Sequence, residues 1–278
     1  MIIKGLILSI LISVVSAGCS TKSNDLTHSF RWYERYSCIA HSGGGYNLLT
    51  MTNSLESWNY AYSHGTRVFD ADLNFTSDGV LVLRHSWDDD LGQENFGKGV
   101  VPDYDTFMSG YIFPNQPGGA LSPMSAEMML QFMEEHGDVY VACDAKADSF
   151  KIYSCLAELA EKLDAQEILE RVIVSCYTPK EKEAALKAGN FKYFAIRYYD
   201  NTYYGSFTEL IVACKEGDFD VCMVADYFIR DDEEWRVLTD NGIVVWTAVI
   251  DDADEWRRLN SLGISGCVTN FLYEDTLK

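Results

Sequence analysis

The sequence predicts one (β/α)8 TIM barrel, an α/β fold in which eight parallel strands alternate with helices. The chain has 278 residues, 47% of them hydrophobic, which suits a single domain of ordinary barrel size. Short runs rich in Val, Ile, Phe and Cys alternate with stretches of helical periodicity. The short runs lack strict polar–apolar alternation, as expected for parallel strands that are buried on both faces.

The predicted elements follow one another along the chain. Eight runs are predicted to be strands: 37–41, 67–75, 139–145, 172–176, 193–197, 221–225, 243–249 and 265–269. Seven stretches between them are predicted to be helices: 53–64, 125–136, 150–163, 179–188, 207–215, 232–240 and 253–262. Pro179 suits a first helical turn, and Asn53 with Glu56 forms an Asn-led capping box that predicts a helix start at Asn53.

The second strand is predicted to continue as a β-hairpin. Residues 76–79 read Thr-Ser-Asp-Gly, a turn composition, and the apolar run 80–83 follows at once. Folding about this turn brings His85 opposite Asp70 and Asp72. The next stretch, about 86–122, is long and irregular, which in a compact domain is usually functional. We predict that it is a capping insertion over the mouth of the active site.

The N-terminus predicts a bacterial lipoprotein signal peptide, residues 1–18. Its apolar stretch, 5–15, is too short to span a bilayer. Residues 15–19 read Val-Ser-Ala-Gly-Cys and resemble a lipobox with Cys19 as the lipidated residue; cleavage by ordinary signal peptidase is the alternative. Residues 19–28 are then a tether and 29–278 the barrel domain. The prediction is a lipid-anchored, extracytoplasmic protein on a membrane of the bacterial cell envelope.

Composition excludes some partners. The chain has 22 basic and 42 acidic residues and a net charge of -20, so it repels a phosphate backbone and no nucleic-acid partner is predicted. Of the eight cysteines, those besides Cys19 are odd in number and have no zinc-ligand spacing. They are predicted to be mostly free thiols packed as small hydrophobes. No oligomeric state is predicted.

Acidic residues at strand ends predict a metal site. A strand points residues i and i+2 to the same side, so Asp70 and Asp72 face one spot, as do Asp144 and Lys146. Three carboxylates of this kind suit Mg²⁺ or Ca²⁺, whereas single strand-end carboxylates often only cap helices or pair with arginines. Lys146 could hold a phosphate oxygen or form an ion pair with Asp144 or Asp72.

Two histidines end strands beside those carboxylates. His41 and His85 suit proton transfer because imidazole titrates near neutral pH. A single histidine is more often a core or surface residue, but here both end strands next to acidic residues. Two histidines, three carboxylates and a lysine around one pocket predict metal-assisted phosphoryl chemistry.

At this point the sequence resembles the glycerophosphodiester phosphodiesterase family, within the phosphatidylinositol-phospholipase-C-like barrels. The likeness runs from 38 to about 272. The family's motifs fall in order on the chain, as follows: His41-Ser42-Gly43, Thr52-Asn53-Ser54, Asp70-Ala71-Asp72, Thr76-Ser77-Asp78-Gly79, His85, Asp144-Ala145-Lys146, Trp246-Thr247 and Thr269-Asn270. The chain departs from the family where Ser42 replaces a phosphate-binding arginine, Thr52 replaces a glutamate, and Asp70 and Asp144 replace metal-binding glutamates.

The resemblance implies a metal-dependent phosphodiester hydrolase with His41 as general base and His85 as general acid. It implies a divalent cation, Mg²⁺ or Ca²⁺, and a small or lipid-derived phosphodiester substrate such as a deacylated phospholipid head group. Lys146 is then a substrate-binding residue. Arg197, at the end of the fifth strand, is predicted either to replace the guanidinium lost at position 42 or to be an exposed loop arginine. Trp246 is predicted either to floor the pocket, as its family counterpart does, or only to close the barrel.

Two alternatives stay open from the sequence. The Asp-x-Lys strand end at 144–146 is similar to the sphingomyelinase D relatives, which implies a lyase that forms a cyclic phosphate. Alternatively, the replacements at Ser42, Thr52 and Asn270 are compatible with a barrel that binds phosphorylated head groups without catalysis.

Overall fold

The computed structural model describes residues 31–199, 202–229 and 231–277. The predicted signal peptide, Cys19 and the tether lie outside these residues, so the anchor stays a prediction. Over the described ranges, none of the helices combines the length and the apolar character needed to cross a membrane.

Eight parallel strands close into a barrel, which confirms the predicted fold class. The barrel closes because β1 pairs with both β2 and β9, and β3 extends the sheet as an antiparallel partner of β2. The strand bounds are β1 Cys38–Ala40, β2 Val68–Phe75, β3 Leu81–Leu83, β4 Tyr140–Ala145, β5 Val172–Cys176, β6 Tyr193–Tyr198, β7 Val221–Ala225, β8 Val245–Ala248 and β9 Gly266–Thr269.

Helices connect the barrel strands, and the predicted ones are present within two residues of their predicted bounds. The helix bounds are α1 Trp32–Arg35, α2 Leu55–Ser63, α3 Tyr104–Ser109, α4 Ala126–Glu135, α5 Ser149–Lys162, α6 Pro179–Ala188, α7 Phe207–Glu216, α8 Asp232–Thr239, α9 Ala253–Ser261 and α10 Glu274–Leu277. Most begin at a side-chain cap; for example, Asp148 and Ser206 accept hydrogen bonds from backbone N–H groups of the first turns of α5 and α7.

The start of α2 differs from the prediction. Ser54, not Asn53, is the N-cap residue, and its hydroxyl accepts the Ser57 N–H. Asn53 adopts a left-handed backbone (φ 48°), and its side chain donates to Asp72 at 2.9 Å. The polar residue that the sequence assigned to capping therefore belongs to the carboxylate cluster.

The β2–β3 hairpin has the predicted form. Leu73 pairs with Leu83 and Phe75 with Leu81, and the Arg84 N–H donates to the Asp72 carbonyl at 2.7 Å. This pairing carries His85 to the end of β2 that holds the acidic residues.

The segment after the hairpin is ordered around a small apolar cluster of its own. Leu91, Ile112 and Leu121 are buried together, and Ile112 pairs with Leu121. The segment also contains α3, whose Phe107 is fully buried. That it covers the active-site mouth stays a prediction.

The barrel interior is filled with side chains and closed at its amino end. Residues such as Ile39, Val68 and Ala142 pack inside the strands together with Trp32 of α1. The rings of Trp32 and Trp246 lie 5.0 Å apart, and both are at most 1% exposed. Since this end is packed shut, a ligand site in the barrel must lie at the carboxyl ends of the strands.

The seven cysteines in the described ranges are all free, as predicted. Six of them are buried, and the remaining one, Cys155, is half-buried. Burial raises the pKa of the Cys267 thiol to about 12, with Glu274 and Asp251 adding to the effect. These thiols are packed in the fold and do not line the cavity described below.

Candidate active site

A cavity of about 440 Å³ opens at the carboxyl ends of the strands. Its walls contain all seven of the polar residues predicted for the catalytic, metal and phosphate-binding roles, together with residues from β6 to β9. The lining residues are His41, Asp70, Asp72, His85, Asp144, Lys146, Arg197, Tyr199, Ala225, Asp226, Tyr227, Ala248, Val249 and Val268. The structure therefore gathers residues that are far apart in sequence into one pocket.

Strand register brings the three carboxylates together. Asp72 on β2 is the direct partner of Asp144 on β4, and Asp70 lies two residues earlier on the same face of β2. All three are at most 5% exposed. Carboxylates buried to this extent need compensating charge or hydrogen bonds.

Two cations compensate the cluster. The Lys146 ammonium lies 2.6 Å from Asp144 and 3.1 Å from Asp72. The Arg197 guanidinium lies 2.6 Å from the same Asp144 oxygen and 3.2 Å from Asp70. Arg197 is only 4% exposed, and it also donates to the Ser175 hydroxyl at 3.0 Å. The predicted alternative of an exposed loop arginine is therefore wrong.

Ser42 also holds the two carboxylates of β2, Asp70 and Asp72, by hydrogen bonds. It has a left-handed backbone (φ 46°, ψ 40°), an unusual conformation for a residue with a side chain. In this conformation its N–H donates to Asp70 at 3.2 Å and its hydroxyl donates to Asp72 at 2.6 Å. The resemblance predicts a phosphate-binding arginine at position 42 in the family, whereas here Ser42 holds Asp70 and Asp72 in place by hydrogen bonds.

The two β2 carboxylates have different proton affinities. Burial, together with the charge of Asp72, raises the pKa of Asp70, and Arg197 offsets this only in part. Burial would also raise the pKa of Asp72, but Lys146 and two side-chain hydrogen bonds outweigh it, so the pKa of Asp72 is lowered. Asp72 is therefore the firmly ionised member of the pair.

Both cations stay charged despite their burial. Desolvation lowers the pKa of Lys146, but Asp144 and Asp72 outweigh it, so its pKa is raised. The pKa of Arg197 is likewise raised because Asp144 outweighs desolvation. Lys146 and Arg197 are therefore both cationic at neutral pH, next to the three carboxylates with which they pair.

His41 is held by an asparagine whose orientation is fixed. The Asn270 amide nitrogen donates to Asp251 at 2.8 Å, so its oxygen faces the His41 Nδ1 at 3.0 Å. Because an amide oxygen only accepts, Nδ1 must carry the proton. In the neutral imidazole the lone pair is therefore on Nε2, which is the nitrogen that can accept a proton.

His85 is held by a carboxylate from the segment after the hairpin. Its Nδ1 lies 2.9 Å from Asp89, and both side chains are about one-third exposed. The carboxylate only accepts, so Nδ1 is the donor and Nε2 is the nitrogen left for a ligand. A protonated His85 forms a salt bridge with Asp89, which suits a residue that gives up a proton from Nε2.

The three carboxylates, as arranged, do not fit a bound metal ion. Each of them already forms an ion pair with Lys146 or Arg197. Over the residues that the structure describes, no group of three or more His, Cys, Asp or Glu side chains is arranged to hold a metal. A cation would have to displace at least one of these protein cations from its carboxylate partners.

Trp246 does not join the site. It packs against Trp32 in the barrel interior and is absent from the cavity wall. Of the two predicted roles, closing the barrel is the one that its burial supports. Its side chain lies below the polar cluster, on the strand β8.

Sequence reasoning missed several site residues. Tyr199 lines the cavity, and its ring centre lies 5.2 Å from the Arg197 guanidinium. It is two residues beyond Arg197, so the alternation that placed Asp72 beside Asp70 could have found it. Asp226 and Tyr227 also line the wall, but they follow β7 with no motif that distinguishes them.

Comparison with protein families supports the resemblance seen in the sequence. Residues 41–106 match the sequence model of the glycerophosphoryl diester phosphodiesterase family. This segment contains both histidines and two of the three carboxylates. A comparison with curated proteins finds no match.

Solved structures of several bacterial enzymes have the same fold. An Oleispira antarctica phosphodiesterase in complex with the product sn-glycerol-3-phosphate is 13% identical, with a TM-score of 0.66 over 87% of this chain and 95% of that one. A Thermotoga maritima glycerophosphodiester phosphodiesterase is 16% identical, with a TM-score of 0.62 over 86% of this chain and 95% of that one. A Parabacteroides distasonis glycerophosphoryl diester phosphodiesterase is 12% identical, with a TM-score of 0.66 over 89% and 86%. Identities this low support the fold only.

The barrel fold and the family segment agree with each other, since the solved structures show a TIM barrel and the matched segment lies at its β1–β3 end. Over residues 41–106 the chain carries the pattern of the glycerophosphoryl diester phosphodiesterase family, which confirms the resemblance predicted from its motifs.

Proposed function

We propose that this protein hydrolyses glycerophosphodiester-like substrates by acid–base catalysis between His41 and His85. The observation that carries the proposal is the cavity itself, which is lined by two histidines with Nδ1 partners and by the cations Lys146 and Arg197. The products are an alcohol and a phosphomonoester.

The histidine partners suit opposite proton transfers. His41 has a neutral amide partner that accepts from Nδ1, so in the neutral imidazole Nε2 is the nitrogen that removes a proton from the attacking water. His85 is paired with a carboxylate, so it is the residue that protonates the departing alkoxide as the P–O bond breaks. Positioned acid–base groups of this kind contribute about 10²–10⁴-fold to rate.

Lys146 and Arg197 supply the positive charge for the phosphate. Both line the cavity, and both remain charged at neutral pH. Cationic groups that face the phosphoryl oxygens stabilise the charge that builds there as water attacks. Arg197 also has the planar donor geometry that matches phosphate oxygens.

The family resemblance implies a divalent cation, and the sequence predicts Mg²⁺ or Ca²⁺ on Asp70, Asp72 and Asp144. These carboxylates do not fit that ion in their present arrangement, so no step of the proposed reaction is routed through it. Hydrolysis itself is the proposal, and it is tested both with and without added metal.

The substrate class rests on the family segment and on one relative. The Oleispira antarctica phosphodiesterase holds sn-glycerol-3-phosphate as its product, which supports a glycerophosphodiester as the substrate here. The predicted signal peptide, 1–18, supports our proposal of a lipid anchor at Cys19 and a location on a membrane of the bacterial cell envelope. Metabolic labelling with a radioactive fatty acid tests the anchor, since Cys19→Ala must abolish incorporation if the assignment is correct.

The test of function is a substrate panel of glycerophosphocholine, glycerophosphoethanolamine and bis(p-nitrophenyl) phosphate. Each substrate is assayed after EDTA treatment and again with added Mg²⁺ or Ca²⁺, and the products are followed by phosphorus NMR. A linear phosphomonoester in any arm supports the proposal, and an accumulating cyclic phosphate identifies the lyase alternative. No turnover in every arm, with substrate binding measured by calorimetry, identifies the non-catalytic barrel.

A further inference from the structure

The proposed hydrolysis uses the charge of Arg197 but does not explain why its side chain bridges two carboxylates. Arg197 reaches the cluster from β6, on the side of the barrel opposite to β1 and β2. Its guanidinium bridges Asp70 and Asp144, two of the three carboxylates that the sequence assigned to a metal. The ion pairs are buried, since the side chains are 4%, 7% and 6% exposed.

We propose that Arg197 takes the place of the divalent cation, so that Arg197 and Lys146 together supply the positive charge that faces the phosphodiester. The inference rests on the proposed function for its catalytic meaning. The geometric part of the proposal is that the Arg197 guanidinium lies between carboxylates that were predicted to bind a cation. This part rests on the ion pairs alone.

The charges of the cluster support this reading. Three carboxylates face two cations of the protein, and each carboxylate has at least one of them as a partner. Asp144 accepts from both cations through the same oxygen, at 2.6 Å in each case. A metal ion seeking that oxygen competes with two side chains that are already at hydrogen-bond distance.

The surroundings of Arg197 hold it in this position. Ser175 accepts one of its hydrogen bonds, and the Tyr199 ring lies 5.2 Å from the guanidinium carbon. An arginine that merely balanced charge at a surface would have room to turn away, whereas this one is enclosed on several sides. Because it also lines the cavity, its charge is available to a bound ligand.

Removing the guanidinium has a definite consequence. Arg197→Met leaves three buried carboxylates facing one ammonium, which is an excess of two negative charges. That excess, on hard oxygen ligands, matches the charge of Mg²⁺ or Ca²⁺. The variant is therefore expected to gain a metal site that the natural protein lacks.

The experiment measures binding of Ca²⁺ and of Mg²⁺ by calorimetry on the full chain after dialysis against EDTA. We expect no binding to the natural protein and about one equivalent bound by Arg197→Met and by Arg197→Gln, each checked for native circular dichroism. Arg67→Met is the matched control: it removes the same charge from an ion pair with Asp138, outside the cavity, and is expected to bind no metal.

Hydrolysis gives the second readout. The natural protein is expected to keep its turnover within about twofold in EDTA, while Arg197→Met falls about 10²-fold in EDTA and regains part of that loss with Ca²⁺ or Mg²⁺. Stoichiometric metal binding by the natural protein, or metal binding by neither protein, overturns the proposal. If the natural protein hydrolyses nothing in any arm, the proposed function fails, and the binding measurements still decide whether Arg197 holds the cation position.

Discussion

The two halves of the chain contribute unequally to the cavity. The half from β1 to β4 supplies both histidines and all three carboxylates, and it contains the segment 41–106 that matches the family. The half from β5 to β9 supplies Arg197 and a wall of Tyr199, Asp226 and Tyr227. Proton transfer therefore belongs to the first half, while the second completes the charge of the site and closes the barrel.

Among the residues of the second half, Arg197 is expected to have the greatest influence on the site. Arg197 ties the halves together, because it joins β6 to Asp144 on β4 and to Asp70 on β2. Changes in the first half should reduce catalysis or unbalance the buried charges. Changes in the second half that lie outside the cavity wall, and outside the Asn270–Asp251 pair that holds His41, should affect stability alone.

The largest expected effect is on catalysis, from His41→Ala in the first half. Turnover should fall about 10³-fold, because the general base is lost, and it should fall for every substrate in the panel. His64→Ala is the matched control, since His64 contacts the Tyr60 ring, does not line the cavity and should leave turnover unchanged. Initial-rate kinetics check this; a His41→Ala enzyme within tenfold of the natural one would remove His41 from the mechanism.

The next effect is on stability, from Asp144→Ala. The change removes the shared partner of Lys146 and Arg197, which keep Asp72 and Asp70 as their other partners. It breaks two hydrogen bonds between charged groups, for which we expect a total loss of about 3 kcal/mol. Urea denaturation should show the loss in the free energy of unfolding. The control in the second half is Asp254→Ala, which removes an exposed ion pair with Arg257 and should have no measurable effect. A loss for Asp144→Ala below about 1 kcal/mol would mean that the cations do not depend on Asp144.

A smaller effect concerns pH and a thiol of the second half. The pKa of Cys267 is raised by burial, and by Glu274 and Asp251, to about 12. Its folded-state pKa lies above its unfolded value, so its contribution to stability is complete below the unfolded pKa, near 8.5, and is lost as pH rises toward 12. Between about pH 7.5 and pH 10, the natural protein should lose roughly 2 kcal/mol more stability than Cys267→Ala.

Urea denaturation in reducing buffer at the two pH values measures this difference. Half-buried Cys155 is the matched control: burial also raises its pKa, but Cys155→Ala should show a smaller difference. Equal pH dependence for the natural protein and Cys267→Ala would show that this thiol ionises in the folded state as readily as in the unfolded one.

Local sequence patterns predicted the first half of the site well. The spacing of Asp70 and Asp72 fixes their common face because strand side chains alternate. The turn at 76–79 determines where the hairpin folds back, and hence where His85 lies. Each of these relations spans fewer than about 20 residues, within which backbone geometry dictates the outcome.

The contacts that complete the site could not be predicted in the same way. Arg197 is 53 residues from Asp144 and 127 from Asp70, so their pairing exists only once the barrel has closed. The positive φ at Ser42 has no signal in a residue type that usually avoids it. Asn53 also has a positive φ, which asparagine adopts more readily than most residues, but asparagine is equally common as a helix cap. Capping chemistry at Asn53 therefore suggested a helix start, while tertiary contacts turned the side chain toward Asp72.

The smallest effect expected in the first half is that of Asp89→Asn, which removes the carboxylate partner of His85. Because the pair is about one-third exposed, solvent weakens the interaction, and we expect a loss of about tenfold in turnover of glycerophosphocholine. The loss should be smaller for bis(p-nitrophenyl) phosphate, because p-nitrophenolate leaves without needing a proton from the general acid. The matched control is Asp88→Asn, on an exposed neighbour that does not line the cavity, for which both substrates should be turned over normally. An equal loss on both substrates would assign His85 to substrate binding instead of proton donation, and the two histidines would then no longer divide the proton transfers between them.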